Sequence, residues 1–345
     1  MVKRVARGAA RTTLWRTHRR ALGAVLAISA LVISSCTSEP AMGPADDSGA
    51  PTPPTSEQQA SEQQPGEAVD SQASTSTAAA ITTYVALGDS FASMGSREDG
   101  GAGDDDARGA EAAFCRRSQD NYPRALSELL NVESVVDRSC QGAIIDNLSG
   151  QRAAGDIEIP AQMQAFGEVD APVDLVTLTI GGNDIGFGEM VWCAQNAMQT
   201  HEPSNCSAYL DRKVAHETKV VEDRLDQVFQ EIRTRAPQAR IVATGYLPLL
   251  GVADDCAEIA AISGTDRAWL QSVTHQLNQA AANAAQRRGA EFVLPAHVDK
   301  HTVCAEPEQR WVDLTGAETG SYPFHPTAAG QRAMAEAIRD QVQLG

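Results

Sequence analysis

From residue 82 onward, short apolar runs rich in β-branched residues alternate with longer stretches of helical periodicity. Residues 82–87, 132–136, 173–180, 240–246 and 291–294 read as strands; 121–130, 211–235, 265–288 and 327–342 read as helices. Strands that alternate with helices predict a parallel sheet, because each return crossover must travel back over a face of the sheet. The run Val-Asp-Leu-Val-Thr-Leu-Thr-Ile at 173–180 is largely apolar without strict alternation, as expected of a strand covered on both faces. The fold class is therefore α/β: a three-layer α/β/α sandwich with a central, mostly parallel sheet. In such sheets, sites form beyond the carboxyl ends of the strands.

The residues before this pattern are of a different kind. Residues 1–36 hold seven bases and no acid; an apolar stretch from Ala21 to Ile33 follows the basic head, then Ser34-Ser35-Cys36. Basic head, short apolar middle and small residues describe an export signal. The apolar stretch is shorter than the roughly 20 residues of a membrane-spanning helix. Ile33-Ser34-Ser35-Cys36 is similar to a bacterial lipobox, which predicts lipidation at Cys36 and a membrane anchor. Arg19-Arg20 is flanked poorly for a twin-arginine signal, so the general secretory route is expected. Residues 37–80 carry seven acids, no base and hardly any large apolar side chain. Such a segment cannot bury enough surface to offset its ordering entropy, and reads as an acidic tether rich in Ser, Pro and Gln. Residues 81–345 form the third unit, one folded domain.

The seven bases of 1–36 and the seven acids of 37–80 cancel, so the whole-chain charge of −17 is also that of residues 81–345. A domain so acidic is a poor binder of nucleic acid and is repelled by anionic lipid surfaces, which leaves membrane contact to the anchor. Beyond Cys36 there are six cysteines, an even number that favours three disulfides in an exported chain and leaves their connectivity open. No Cys-x-x-Cys or clustered His spacing is present, so neither metal nor cofactor is expected. The Gly/Asp-rich stretch 96–109 does not match a calcium loop and reads as a solvated surface loop.

Three short motifs fall at the predicted element edges. Tyr84-Val85-Ala86-Leu87-Gly88-Asp89-Ser90-Phe91 is a buried strand that breaks at glycine and delivers a serine just past its end. Gly181-Gly182-Asn183-Asp184 follows a second apolar run, and His325-Pro326 opens the last helix. Serine, amide donor and histidine at edges that can converge point to acyl-transfer chemistry. By itself Ser90 is as readily a helix cap.

With Ser139-Cys140-Gln141-Gly142-Ala143 as a fourth block, the order and spacing resemble the SGNH (GDSL) hydrolases over residues 81–345. Cys115-Arg116-Arg117-Ser118 with Tyr122-Pro123, and Leu178 through Phe187, resemble the disulfide-bonded secreted actinobacterial esterases and lipases of that superfamily. The resemblance implies the SGNH hydrolase fold and a serine esterase or lipase acting on carboxylic acyl esters, which the signal and lipobox are expected to place outside the cell on a membrane anchor. It implies Ser90 as nucleophile, His325 as base, and the Ser90 and Gly142 N–H groups with the Asn183 amide as an oxyanion hole. It also implies the pairs Cys115–Cys140, Cys193–Cys206 and Cys256–Cys304. One position departs from the family pattern. An acid often stands three residues before the histidine, where this chain has Tyr322. The expectation is a Ser–His dyad whose Nδ1–H is held by the Tyr322 main-chain carbonyl; the alternative is a triad in which Asp313 or Glu318 substitutes for the missing acid.

Polysaccharide O-deacetylation is the same chemistry on another substrate, and an aromatic content of 5% argues mildly against it. A non-catalytic binding lipoprotein has no need of all four blocks. A monomer that takes an ester substrate and no nucleic acid, on the outer face of the membrane, completes the expectation.

Overall fold

The computed structural model describes residues 80–97 and 109–344. The signal 1–36 with Cys36, nearly all of the tether 37–80, and most of the 96–109 stretch lie outside the described residues.

The elements run β1 (Thr83–Gly88), α1 (Ser90–Ser93), α2 (Gly109–Cys115), α3 (Tyr122–Leu130), β2 (Ser134–Asp137), α4 (Asp146–Ser149), β3 (Arg152–Ala154), β4 (Ile157–Ile159), β5 (Leu175–Thr179), α5 (Phe187–Thr200), α6 (Cys206–Arg235), β6 (Arg240–Thr244), α7 (Gly264–Arg287), β7 (Glu291–Val293), β8 (Val312–Asp313), β9 (His325–Pro326) and α8 (Ala328–Leu344). Five strands form one sheet in the order β2-β1-β5-β6-β7, with every neighbouring pair parallel. From β1 the chain first steps outward to β2, then returns past β1 to β5 and continues the other way. That reversal opens a crevice beyond the ends of β1 and β5, where doubly wound sheets bind their ligands.

Alternate residues of each strand feed two cores. Val85 and Leu87 of β1 with Val176 and Leu178 of β5 face a cluster built on Val221, Leu225 and Phe229 of α6 and Leu277 of α7. Tyr84 and Ala86 with Leu175 face Tyr122 and Leu126 of α3 and Met334 and Ile338 of α8. Both faces of the sheet are therefore apolar, and helices cover both.

The chain enters helices where its capping chemistry allows. Asn121 caps α3, its side chain accepting from the Arg124 N–H, and left-handed Asn131 ends it. The N-terminus of α6 lies earlier than its periodicity predicts. The buried Asp266 carboxylate of α7 accepts from the Cys206 and Ser207 N–H groups at 2.6 and 2.8 Å and so extends the helix back to Cys206. The structure contains three disulfides, Cys115–Cys140, Cys193–Cys206 and Cys256–Cys304. The first fastens the end of α2 to the segment that follows β2. Among the described residues no helix is long and apolar enough to cross a membrane.

Candidate active site

The site begins with a glycine that nothing can replace. Gly88 ends β1 at φ +147°, and a Cβ there would stand 2.6 Å from the Thr179 carbonyl oxygen of the neighbouring strand. The Gln162 side chain grips this glycine from the other edge, accepting from its N–H at 2.7 Å and donating to its carbonyl at 2.8 Å. The chain then turns abruptly into α1, with Asp89 as its cap accepting from the Phe91 N–H at 2.9 Å. Ser90 is thereby the first residue of the helix, just past the strand end, and its N–H has no partner among the described residues.

Ser90 Oγ lies 2.8 Å from His325 Nε2, across 235 residues of sequence. Two short strands bring the histidine there. In the β8–β9 pair Asp313 stands opposite His325, and α8 begins three residues later. The other imidazole nitrogen, Nδ1, lies 2.7 Å from the Pro323 carbonyl oxygen. A carbonyl only accepts, so Nδ1 carries the proton and Nε2 presents a lone pair to the Ser90 hydroxyl.

The carbonyl at Nδ1 corrects the expectation, which assigned Tyr322 to that position. The Tyr322 carbonyl instead accepts the His325 backbone N–H at 3.2 Å, closing a tight turn. Phe324 sits in the left-handed region at φ +61°, and this turns the Pro323 carbonyl toward the ring. Neither candidate acid bonds the imidazole. The Asp313 carboxylate is taken up by the Thr315 and Gly316 N–H groups, each at 2.9 Å, and by the Thr319 hydroxyl. Glu318 pairs with Arg310.

His325 is half-buried against Phe91 and Phe187, with ring centroids 5.5 and 5.8 Å away. Burial disfavours the imidazolium and pulls its pKa down to about 4; the Pro323 carbonyl opposes the shift, and the nearby Arg116 charge adds to it. The imidazole is therefore neutral at neutral pH, the form able to accept a proton.

The glycine and asparagine blocks are bonded to the Ser90 turn. The Cys140 N–H donates to the Gly88 carbonyl at 3.0 Å, and the Asp89 N–H to the Thr179 carbonyl at 2.8 Å. The Asn183 amide donates to the Ala143 carbonyl at 2.9 Å, which joins the second block to the third and leaves its other hydrogen unassigned. Gly142, an exposed residue, adopts φ +65°, and its N–H makes no hydrogen bond among the described residues. Ser90, Gly142 and Asn183 thus hold donors on three segments that the backbone ties into one assembly.

Beside the Ser90–His325 pair an apolar pocket runs between α5 and α7. Phe91, Phe187, Phe324, Leu250, Leu270 and Leu277 are among its walls. Its hydrophobic and aromatic lining is that of a small-molecule site.

Residues 86–333 match the model of the GDSL-like Lipase/Acylhydrolase family. The chain belongs to this family. It is 31% identical to Lipase 2 of Streptomyces coelicolor over 76% of this chain and 86% of that one. To the Lipase of Streptomyces rimosus it is 30% identical over 72% and 82%. Two solved structures share the fold: the extracellular lipase of Streptomyces rimosus (TM-score 0.59, 25% identity, 76% of this chain and 99% of that one) and the phospholipase A1 of Streptomyces albidoflavus NA297 (TM-score 0.56, 25% identity, with the same coverage). As a GDSL-family member the protein is a carboxylic ester hydrolase of the lipase/esterase type.

Several site residues carry no signal in the sequence. Gln162, Pro323 and Tyr246 lie outside the four blocks. The Tyr246 hydroxyl donates to the buried Asp89 carboxylate and accepts from the Gly182 N–H at 2.7 Å.

Proposed function

We propose that the protein hydrolyses fatty acyl esters through a Ser90–His325 dyad, with the Ser90 and Gly142 N–H groups and the Asn183 amide as the oxyanion hole. The observation that carries this is the 2.8 Å Oγ–Nε2 contact together with an imidazole whose Nδ1–H is held by the Pro323 carbonyl. His325 takes the Ser90 proton as Oγ attacks the ester carbonyl, and the oxyanion faces the three donors. The imidazolium then protonates the leaving alcohol, and water, deprotonated by the same nitrogen, releases the acid from the acyl-serine. A carbonyl in place of the usual carboxylate fixes the tautomer and ring angle but adds no full charge to the imidazolium.

The pocket between α5 and α7 receives the acyl chain. Its apolar lining supports a fatty acyl group over the acetyl group of a glycan. Export by the signal at 1–36, lipidation at Cys36 and the tether over 37–80 would place the domain outside the cell on a membrane anchor. The extracellular lipase of Streptomyces rimosus among the relatives supports export.

Hydrolysis of a p-nitrophenyl ester series from acetyl to palmitoyl tests it. Turnover that favours longer chains and vanishes in Ser90→Ala supports it. Turnover that survives in Ser90→Ala overturns the dyad.

A further inference from the structure

Sterics require a glycine at 88, and glycine brings a backbone freedom that has to be removed two residues before Ser90. On one side Gly88 stands opposite Thr179 of β5, and the Asp89 N–H that follows donates to the Thr179 carbonyl. On the other side β2 ends at Asp137, opposite Ala86, so no residue of β2 stands opposite Gly88. The Gln162 amide fills that gap. Its Oε1 accepts from the Gly88 N–H at 2.7 Å and its Nε2 donates to the Gly88 carbonyl at 2.8 Å, so both backbone groups of this glycine are held by one side chain. The same carbonyl accepts the Cys140 N–H at 3.0 Å, two residues before Gly142. Gln162 therefore holds the point from which the Ser90 turn and the glycine block both depart.

The amide is itself held in place. Gln162 is buried and opens a short 3-10 helix, Gln162–Gly167, whose Met163 and Ala165 pack in the core with Val85 and Leu87 of β1. Ile159, three residues earlier, packs on Cys115 and Cys140. A backbone N–H only donates and a carbonyl only accepts, so these partners leave the amide one orientation. Asn278 makes the same pair of bonds to Tyr246, but that clamp acts on the segment after β6 and not on the one that carries Ser90. Gln162 lines no part of the apolar pocket and does not bond the imidazole. What it fixes is the backbone that leads to the Ser90 N–H and, through the shared carbonyl, to the Gly142 N–H.

We propose that Gln162 is a positioning residue for ester hydrolysis: by locking Gly88 to the glycine block it aims the Ser90 and Gly142 N–H groups at the oxyanion. This rests on the Ser90–His325 reading and its oxyanion hole. Gln162 touches no substrate and moves no proton. Donors aimed at an oxyanion act when the charge develops, not when the ester first binds, so the loss of Gln162 falls on kcat and spares KM.

The test uses the oxidised full-length protein as wild type, Gln162→Met and Gln162→Asn, with denaturant unfolding recorded for each. Met keeps the length of the side chain and removes both bonds; Asn keeps the amide but stops one methylene short of Gly88. Each protein is assayed on p-nitrophenyl butyrate and inhibited with an alkylboronic acid, whose tetrahedral adduct on Ser90 presents an oxygen to the same donors. The expected result, per folded molecule, is a kcat lower by about tenfold to a hundredfold in both variants with KM within about twofold of wild type. The boronic acid Ki rises by the factor by which kcat/KM falls. Rates that follow the folded fraction alone, complete unfolding included, mean that Gln162 only braces β1 and overturn the proposal. So does a KM that rises while kcat holds, or an unchanged boronic acid Ki. Turnover that depends on Ser90 but is the same in wild type and both Gln162 variants removes the positioning role and leaves the dyad standing. Turnover that persists in Ser90→Ala identifies failure of the dyad itself.

Discussion

The Tyr246 hydroxyl bridges two segments of the candidate site, donating to the carboxylate of Asp89 beside Ser90 and accepting from Gly182 beside Asn183. It is buried, and burial together with the neighbouring Asp89 charge keeps its phenol protonated well above the ordinary range. Tyr246→Phe leaves the buried Gly182 N–H without an acceptor and the Asp89 Oδ2 without a donor, while Oδ1 keeps the Phe91 N–H. The expected cost is about 1–3 kcal/mol of stability for each group left unsatisfied, read from denaturant unfolding. An unfolding midpoint equal to that of wild type would remove the bridge from the account.

Asp89 links stability to pH. Desolvation raises its carboxyl from 3.8 to about 7, against the opposing hydrogen bonds from Tyr246 and Phe91. Its folded pKa exceeds its unfolded one, so between these values the folded state binds more protons and the aspartate's contribution to stability declines as pH rises. His325 acts oppositely between about 4 and 6.5, because its folded pKa is the lower one. Asp89→Asn removes only the first effect. The stability of the variant relative to wild type should therefore rise with pH from about 4 to 7, measured as the difference in unfolding midpoints. A flat difference would contradict the raised carboxyl.

The rate profile reports His325 directly. A histidine with its pKa near 4 remains a base at pH 5, where an ordinary one with a value of 6.5 is mostly protonated. The acid limb of kcat/KM for a soluble ester is expected near pH 4. A limb near 6.5 would mean that the imidazole is far more solvated than its packing against Phe91 and Phe187 implies.

Cys115–Cys140 closes a 25-residue separation and holds both Arg116 and the glycine block. Replacing the pair by alanine is expected to cost about 3 kcal/mol by the loop-closure model, and to lower kcat through the released Gly142 segment. Full activity in the alanine pair would show that the glycine block holds its shape without the bridge.

The parts of this molecule that could be read from the chain are those written in local pattern. The runs at 82–87, 173–180 and 240–246 are apolar on both faces, and β1, β5 and β6 are the inner strands of the sheet. Gly88-Asp89-Ser90 announces a strand end because only glycine tolerates the backbone of Thr179 at that distance. What was not legible depends on distant segments. Helix α5 has no side-chain cap, only left-handed Gly186 at its start. The early start of α6 comes from Asp266, 60 residues away. The carbonyl that orients His325 is set by the left-handed Phe324, which no residue preference marks, so the neighbouring Tyr322 was the natural expectation.

The central claim is that Ser90 is a hydroxyl activated by His325. Labelling of the oxidised protein with a fluorophosphonate, followed by peptide mapping, tests it most directly. The account predicts one adduct, on Ser90, absent in Ser90→Ala and formed slower by several orders of magnitude in His325→Ala. An adduct on another serine, or equal labelling of wild type and His325→Ala, would contradict it.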